Sequence, residues 1–172
     1  MKIKLWNLLI KFASLVVFGF LLLQDSLARL ALEKYYRPDI ALLLNRRDPE
    51  LAMWLGSYYF NGTLGRAEYD LDKADRSYQK ALKINPRIIL AHYQLARIYF
   101  VRGLHDQALE EINLELALNP SNLRSLYVRG LIYGYRNFPG DLEKAENDFR
   151  KFVGWAPKEW AGYNDLAWIL LI

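Results

Sequence analysis

The sequence predicts an all-α protein: a stack of helical hairpins with one membrane-spanning helix at its amino terminus. Three observations predict it. A motif of fixed residue types recurs three times after residue 48, aspartate and proline punctuate the recurring segments where helices start and stop, and residues 5–23 form an apolar run interrupted by Asn7 and Lys11. Length and composition agree, since 172 residues that are 53% hydrophobic and 24% charged suit one compact domain plus an appended segment and are too apolar for a disordered chain. With no cysteine, disulfides, thiolate zinc sites and cysteine nucleophiles are excluded. The net charge of +4 is mostly Lys2, Lys4 and Lys11, which leaves residues 24–172 with 20 basic against 19 acidic side chains. A nucleic-acid surface needs a stronger and less balanced basic field.

The first element is the membrane segment, assigned to residues 1–25. The 19-residue stretch 5–23 nearly crosses a hydrocarbon layer of about 30 Å at about 1.5 Å per residue, whereas the uninterrupted part, residues 12–23, does not. Lys11 therefore snorkels or sits at the interface. A cleaved secretory signal would use the small-x-small site Ser26-Leu27-Ala28, but Gln24-Asp25 is a poor approach to a peptidase, and an uncleaved anchor is the expectation. Keeping the lysine-bearing tail in the cytoplasm satisfies the positive-inside tendency, with Arg29, Lys34 and Arg37 weakening the bias. The expected location is a cytoplasmic (inner) membrane, single-pass, with the remaining chain extracytoplasmic.

The repeat is the second element. Leu55-Gly56-x2-Tyr59, Leu95-Ala96-x2-Tyr99 and Arg129-Gly130-x2-Tyr133 are one pattern. Its second half reads Ala74-x3-Tyr78 with Ala81 and Pro86, Ala108-x3-Ile112 with Pro120, and Ala145-x3-Phe149 with Pro157. Equivalent residues lie 34, 37 or 40 apart. The excess falls in Asn61-Gly62-Thr63-Leu64-Gly65 and Asn137-Phe138-Pro139-Gly140, one type of loop that belongs on one edge of a stack. Small residues at Gly56, Ala96 and Gly130 admit a second helix, Ala74, Ala108 and Ala145 return the fit, and the large rings fill the space between pairs.

These spacings resemble the tetratricopeptide repeat (TPR), a two-helix unit of about 34 residues. The resemblance covers residues 49–172 and implies a right-handed solenoid of three repeats (49–88, 89–122 and 123–159) with a partial fourth at 160–172. The aromatic that often opens the first helix of the family is replaced by Ala52, His92 and Leu126. Asp48-Pro49 opens the first helix, Asp72, Asp106 and Asp141 open the second helices, and Asn85-Pro86 and Asn119-Pro120 stop two of them. Residues 26–48 read as a linker and a degenerate capping helix. At the other end Trp168, Leu171 and Ile172 form an apolar tip, expected to bury one side or to dock onto another protein, a second copy or the membrane surface.

Catalytic constellations do not stand out. His92 and His105 are 13 apart with no second ligand type at metal spacing, and Asp70, Asp72 and Asp75 lack the glycine and terminal glutamate of a calcium loop. No metal or cofactor and no enzymatic activity is expected. Asn61-Gly62-Thr63 is first a turn signal and only formally a glycosylation acceptor. The family resemblance puts the first helix of each pair on the concave surface, which here implies a groove of Met53, Ser57 and Phe60; Leu90, Tyr93, Arg97 and Phe100; Arg124, Tyr127, Leu131 and Tyr135; and Trp168. Residues 87–102 hold Arg87, Arg97 and Arg102 and residues 121–136 hold Arg124, Arg129 and Arg136, neither with an acid, and the helices that follow carry Glu110, Glu111, Glu115, Asp141, Glu143, Glu146 and Asp148. A cationic, aromatic groove suits a protein or peptide segment with acidic and apolar side chains. Family members that grip chaperone tails use lysine and asparagine there, which Met53, Ser57, Tyr93 and Leu131 do not match.

The function implied is a membrane-tethered interaction scaffold, a subunit or assembly factor of a membrane or cell-envelope complex in a bacterial type of cell. Two alternatives stand: a soluble exported chaperone released by cleavage after Ala28, and an accessory subunit of an envelope polysaccharide or glycosyl-transfer enzyme.

Overall fold

The computed structural model describes residues 2–35, 37–62 and 69–172. Among them the chain forms α1 (Lys2–Glu33), α2 (Pro38–Leu44), α3 (Pro49–Asn61), α4 (Leu71–Ile84), α5 (Ala91–Val101), α6 (His105–Leu118), α7 (Leu123–Arg136), α8 (Asp141–Trp155) and α9 (Trp160–Leu171), without strands. Each helix packs chiefly on its chain neighbours, the quasi-linear organisation of a solenoid. The pairs α3–α4, α5–α6 and α7–α8 are the three hairpins, and α9 opens a fourth. Thr63, Leu64 and Gly65 of the first loop insertion lie outside the described residues, as does the threonine of the formal glycosylation acceptor.

Inside each pair a small residue lies under a large one. A Cβ at Gly56 would stand 2.5 Å from the Tyr78 ring, and one at Gly130 would stand 2.8 Å from the Phe149 ring. Tyr78 and Phe149 are fully buried, as are Ala96 and Ile112 at the equivalent places of the middle pair. The large residues at these positions therefore fill the space within a pair, while Leu95 and Ile98 carry the Tyr78 cluster across to the next pair. Asp48 caps α3, its carboxylate accepting from the amides of Glu50 at 2.8 Å and Leu51 at 3.4 Å, with Pro49 in the first turn. Asn85 and Asn119 end α4 and α6 as expected.

The second helices open differently from the sequence expectation. Asp70, not Asp72, caps α4, and Leu104 and Gly140 hold the equivalent positions of α6 and α8 without a side-chain cap. Asp72, Asp106 and Asp141 stand one or two residues inside the first turn, where the helix dipole favours an anion and the carboxylate is left to bind elsewhere. α5 starts at Ala91, because Leu90 adopts a left-handed φ of 71° and its amide donates to the Glu115 carboxylate at 2.9 Å.

α1 is long and apolar enough, over Leu9–Glu33, to cross a membrane, and Phe12, Leu15, Val16, Val17, Phe18, Leu21, Leu22 and Leu23 are all exposed. The helix does not end at residue 25. It runs on through residues 26–33, which the sequence reading gave to a linker, because Ala28 and Ala31 bury against Ala41 and Leu42 of α2. The last turns of α1 and the short α2 thus make an incomplete hairpin ahead of the first repeat, in one core cluster with Leu51, Ala52, Ala81, Ile88 and Ala91.

Candidate interaction groove

Of the twelve sequence-proposed residues, six on the first helices α3, α5, α7 and α9 make ring and cation contacts in one strip. Its first segment spans α3 and α5. The Arg97 guanidinium lies 4.4 Å from the Phe60 ring centre and 5.6 Å from that of Tyr93, and Arg97 Nη1 donates to Gln94 Oε1 at 2.9 Å. The second spans α5, α7 and α9, with Phe100 edge-on to Tyr135 at 5.3 Å and Tyr135 against Trp168 at 5.4 Å. Trp168 reaches this position because Gly134 leaves room, a Cβ there falling 2.9 Å from the indole. Cation–π and edge-to-face geometries of this kind favour fixed rings over mobile ones. Tyr135 remains 61% exposed, so the strip keeps apolar surface open to a ligand.

The other six take other positions: Ser57 shares a hydrogen bond with Tyr78, Leu90 is the N-cap of α5, and Leu131 packs against the cluster of Ala145 and Phe149. Met53 is part of the floor, packed on the clusters around both Ala52 and Tyr78. Tyr127 is a strut: its ring lies against Phe149 and Phe152 of α8, and its hydroxyl donates to Asp165 Oδ2 on α9 at 2.6 Å. Burial, reinforced by that bond to Asp165, pushes the Tyr127 phenol well above its usual range. Arg124, at the start of α7, is exposed. At the tip, Leu171 and Ile172 are 86% and 63% exposed.

The arginines of the first helices divide into two sets, which the sequence reading did not separate. Arg102 binds Asp72 and Asp75 of the preceding hairpin. Arg136 binds Asp106 of the preceding hairpin and Asp141 of its own. Arg129 grips Asp148 through Nε and Nη2 at 2.7 and 2.9 Å and reaches Asn113. Two of these pairs share one spacing, Arg102 to Asp72 and Arg136 to Asp106, each 30 residues apart. That repeated offset was the signal available in the sequence. The acids of the second helices are correspondingly not all a solvated face, since Glu115, Asp141 and Asp148 are at most 1% exposed. Glu115 receives the Leu90 amide and the Asn122 side chain. Among the described residues, Arg97 and Arg124 are the arginines of α5 and α7 without a carboxylate partner. His92 Nδ1 meets Glu111 at 2.6 Å as a contact between paired helices, and His105 lies beside Phe100.

The fold is that of a helical-repeat solenoid. A tetratricopeptide-repeat model matches residues 77–110, which is α4 from its middle through α5 into α6. A stretch of 87 residues is 29% identical to the tetratricopeptide repeat and J domain-containing co-chaperone DNJ1 of Cryptococcus neoformans; it is 51% of this chain, and the chain spans 16% of that curated relative. The structure resembles TTC0263, a thermophilic tetratricopeptide protein of Thermus thermophilus, over 99% of this chain and 95% of that one, at 22% identity and TM-score 0.63. It also resembles MamA of Desulfovibrio magneticus RS-1 over 87% and 82%, at 22% identity and TM-score 0.67. The first tetratricopeptide domain of Spaghetti (RPAP3), bound to the HSP90 peptide SRMEEVD, matches over 72% and 90% at 24% identity and TM-score 0.62. The match places a tetratricopeptide repeat at residues 77–110, and the solved structures share the all-helical repeat fold seen among the described residues.

Proposed function

We propose that the protein is a scaffold anchored in the cytoplasmic membrane of a bacterial type of cell by α1, holding a protein partner in its concave groove as a subunit or assembly factor of a membrane complex. The observation that carries the reading is the Phe60–Arg97–Tyr93 and Phe100–Tyr135–Trp168 strip, which presents half-buried rings and the exposed Tyr135 beside Arg97, a cation without a carboxylate partner among the described residues, as is the exposed Arg124 at the start of α7. Such a surface suits a segment with acidic and apolar side chains, because guanidinium binds carboxylate by charge-assisted bonds and the rings add contact area at little entropic cost. Tethering raises the effective concentration of a partner that shares the membrane. An uncleaved α1 is favoured over a released chain, because cleavage after Ala28 would take that residue, 1% exposed, out of the first core cluster.

The groove is tested by purifying the intact chain in mild detergent, identifying the co-purifying partner and repeating the capture with Arg97→Glu/Arg124→Glu. Loss of one charge-assisted bond weakens binding about tenfold or more, so the double variant is expected to lose the partner while keeping its helical circular dichroism. Full capture by the variant would remove the groove from the function. Orientation follows from the Lys2, Lys4 and Lys11 tail being held in the cytoplasm against the offsetting Arg29, Lys34 and Arg37. With no native cysteine, a single Trp160→Cys on an exposed position should react with a membrane-impermeant maleimide in intact cells. Labelling only after lysis would reverse the topology.

A further inference from the structure

We propose that the solenoid edge made by the α2–α3 and α4–α5 turns rests on the anionic headgroup layer of the membrane that α1 enters, so that the stack lies against the lipid surface in a fixed pose. The proposal rests on the reading that α1 spans the bilayer. At about 1.5 Å per residue, a hydrocarbon layer of about 30 Å takes about 20 residues, which residues 5–24 supply. Asp25 then stands at the headgroup boundary. Asn45 Nδ2 donates to Asp25 Oδ1 at 2.7 Å, so the α2–α3 turn lies at the same level and holds Arg46 and Arg47, both exposed, beside the phosphates.

The alternation of helices brings a second turn to this edge. α3 leads away from the membrane and α4 returns, and the packing of Ala81, Ile88 and Ala91 with Ala28, Ala41 and Leu51 keeps the α4–α5 turn beside the α2–α3 turn. That turn carries Lys83 and Arg87, both exposed, and Ile89, 56% exposed.

Charge differs between the two edges. Among the described residues Arg29, Arg46, Arg47, Lys83 and Arg87 hold no carboxylate. On the opposite edge Arg37, Lys73, Arg102 and Arg136 pair with Asp39, Asp70, Asp72 and Asp75, and Asp106 and Asp141. The acids near the basic edge are Asp25, bonded to Asn45, Asp48, capping α3, Glu50, and Glu115, which is buried and engaged by the Leu90 amide and Asn122. A cation close to an anionic bilayer favours the bound state about fivefold, within a Debye length of about 10 Å at 0.1 M salt. The opposite edge is about 16 Å away along the 11 residues of α5, beyond that reach. An acidic protein could neutralise the same cations, but the covalent continuity of α1 with the first hairpin puts lipid there already.

The chain has no cysteine, so single cysteines report without background. The full-length protein carrying Ile89→Cys, or Leu104→Cys on the opposite edge, would be labelled with a fluorophore and reconstituted into phosphatidylcholine vesicles with and without phosphatidylglycerol. Both would include a lipid bearing a headgroup-level quencher. The expected result is several-fold stronger quenching at Ile89→Cys than at Leu104→Cys in phosphatidylglycerol vesicles. The difference should shrink at 1 M salt, where the Debye length is about 3 Å, and in Arg46→Gln/Arg47→Gln/Lys83→Gln/Arg87→Gln. Equal quenching at the two positions in protein that resists alkaline carbonate extraction overturns the edge proposal alone. Release by carbonate overturns it together with the spanning of α1. A probe at Ile89→Cys that is shielded only after an acidic protein is added also overturns it, in favour of a protein partner.

Discussion

Replacing Gly130 by valine is expected to destabilise the solenoid by about 3 kcal/mol, the upper range for overpacking a close-packed core. The new Cβ would stand 2.8 Å from the Phe149 ring, and that ring is fully buried between α7 and α8 with no free space to turn into. Gly56→Val is expected to do the same to the first pair, where the Tyr78 ring is 2.5 Å away and its hydroxyl shares a hydrogen bond with Ser57. Gly154→Ala is the control, because no atom lies within 4 Å of its Cβ and a helical glycine replaced by alanine gains about 0.5–1 kcal/mol. Thermal unfolding followed by circular dichroism separates the cases, at about 2–4 °C per kcal/mol for a domain of this size. Since each hairpin touches mainly its neighbours, the valine variants should also unfold in broader transitions than the parent. An unchanged midpoint for Gly130→Val would mean that α7 and α8 are not in this register.

These close approaches were legible in the sequence because they are local: Gly56, Ala96 and Gly130 recur in one motif and Ala74, Ala108 and Ala145 in a second, the distance between the two changing only with the loop that joins them, and close helix packing accounts for small residues at such regular places. The stops at Asn85 and Asn119 were equally plain. Less legible was the end of the first helix, since the cue at residues 24–26 is a change from apolar to polar. What keeps residues 26–33 helical is burial of Ala28 and Ala31 on α2, a tertiary effect without local signature.

The ring contacts of the proposed groove were legible in the sequence, and its electrostatics were not. Position within a helix assigns Phe60, Tyr93, Phe100, Tyr135 and Trp168 to one face, and the contacts among them follow. Position does not say which arginines are already neutralised. Arg102, Arg129 and Arg136 resemble Arg97 and Arg124 in the sequence, yet their partners come from another hairpin or from across the pair, 5 to 30 residues away. A basic face counted from sequence therefore overstates the charge offered to a ligand.

Asp141→Ala is expected to remove about 2–3 kcal/mol, less than the 3–5 kcal/mol for breaking a fully buried pair because Arg136 keeps Asp106 and is itself 19% exposed. The Asp141 carboxylate, 1% exposed, accepts from Arg136 Nε at 2.8 Å and Nη2 at 2.9 Å and from the Phe138 amide at 3.1 Å, and Lys144 lies 3.7 Å away. It thus ties the extra loop of the third repeat, the end of α7 and the start of α8 at one point. The Arg136 guanidinium and then the Phe138 amide hold the Asp141 carboxyl below the usual range despite its burial. A depressed folded pKa means that this contribution is complete above the unfolded value of about 3.9 and is lost as pH falls through the folded one. Asp39 and Asp70 are also depressed, through Arg37 and through the Lys73 amide, so the parent alone does not isolate Asp141. The difference in unfolding free energy between parent and Asp141→Ala does: it should stay constant from pH 7 to about pH 4 and narrow below that. A difference that is absent at pH 7, or that grows on acidification, would show that Asp141 does not carry the junction.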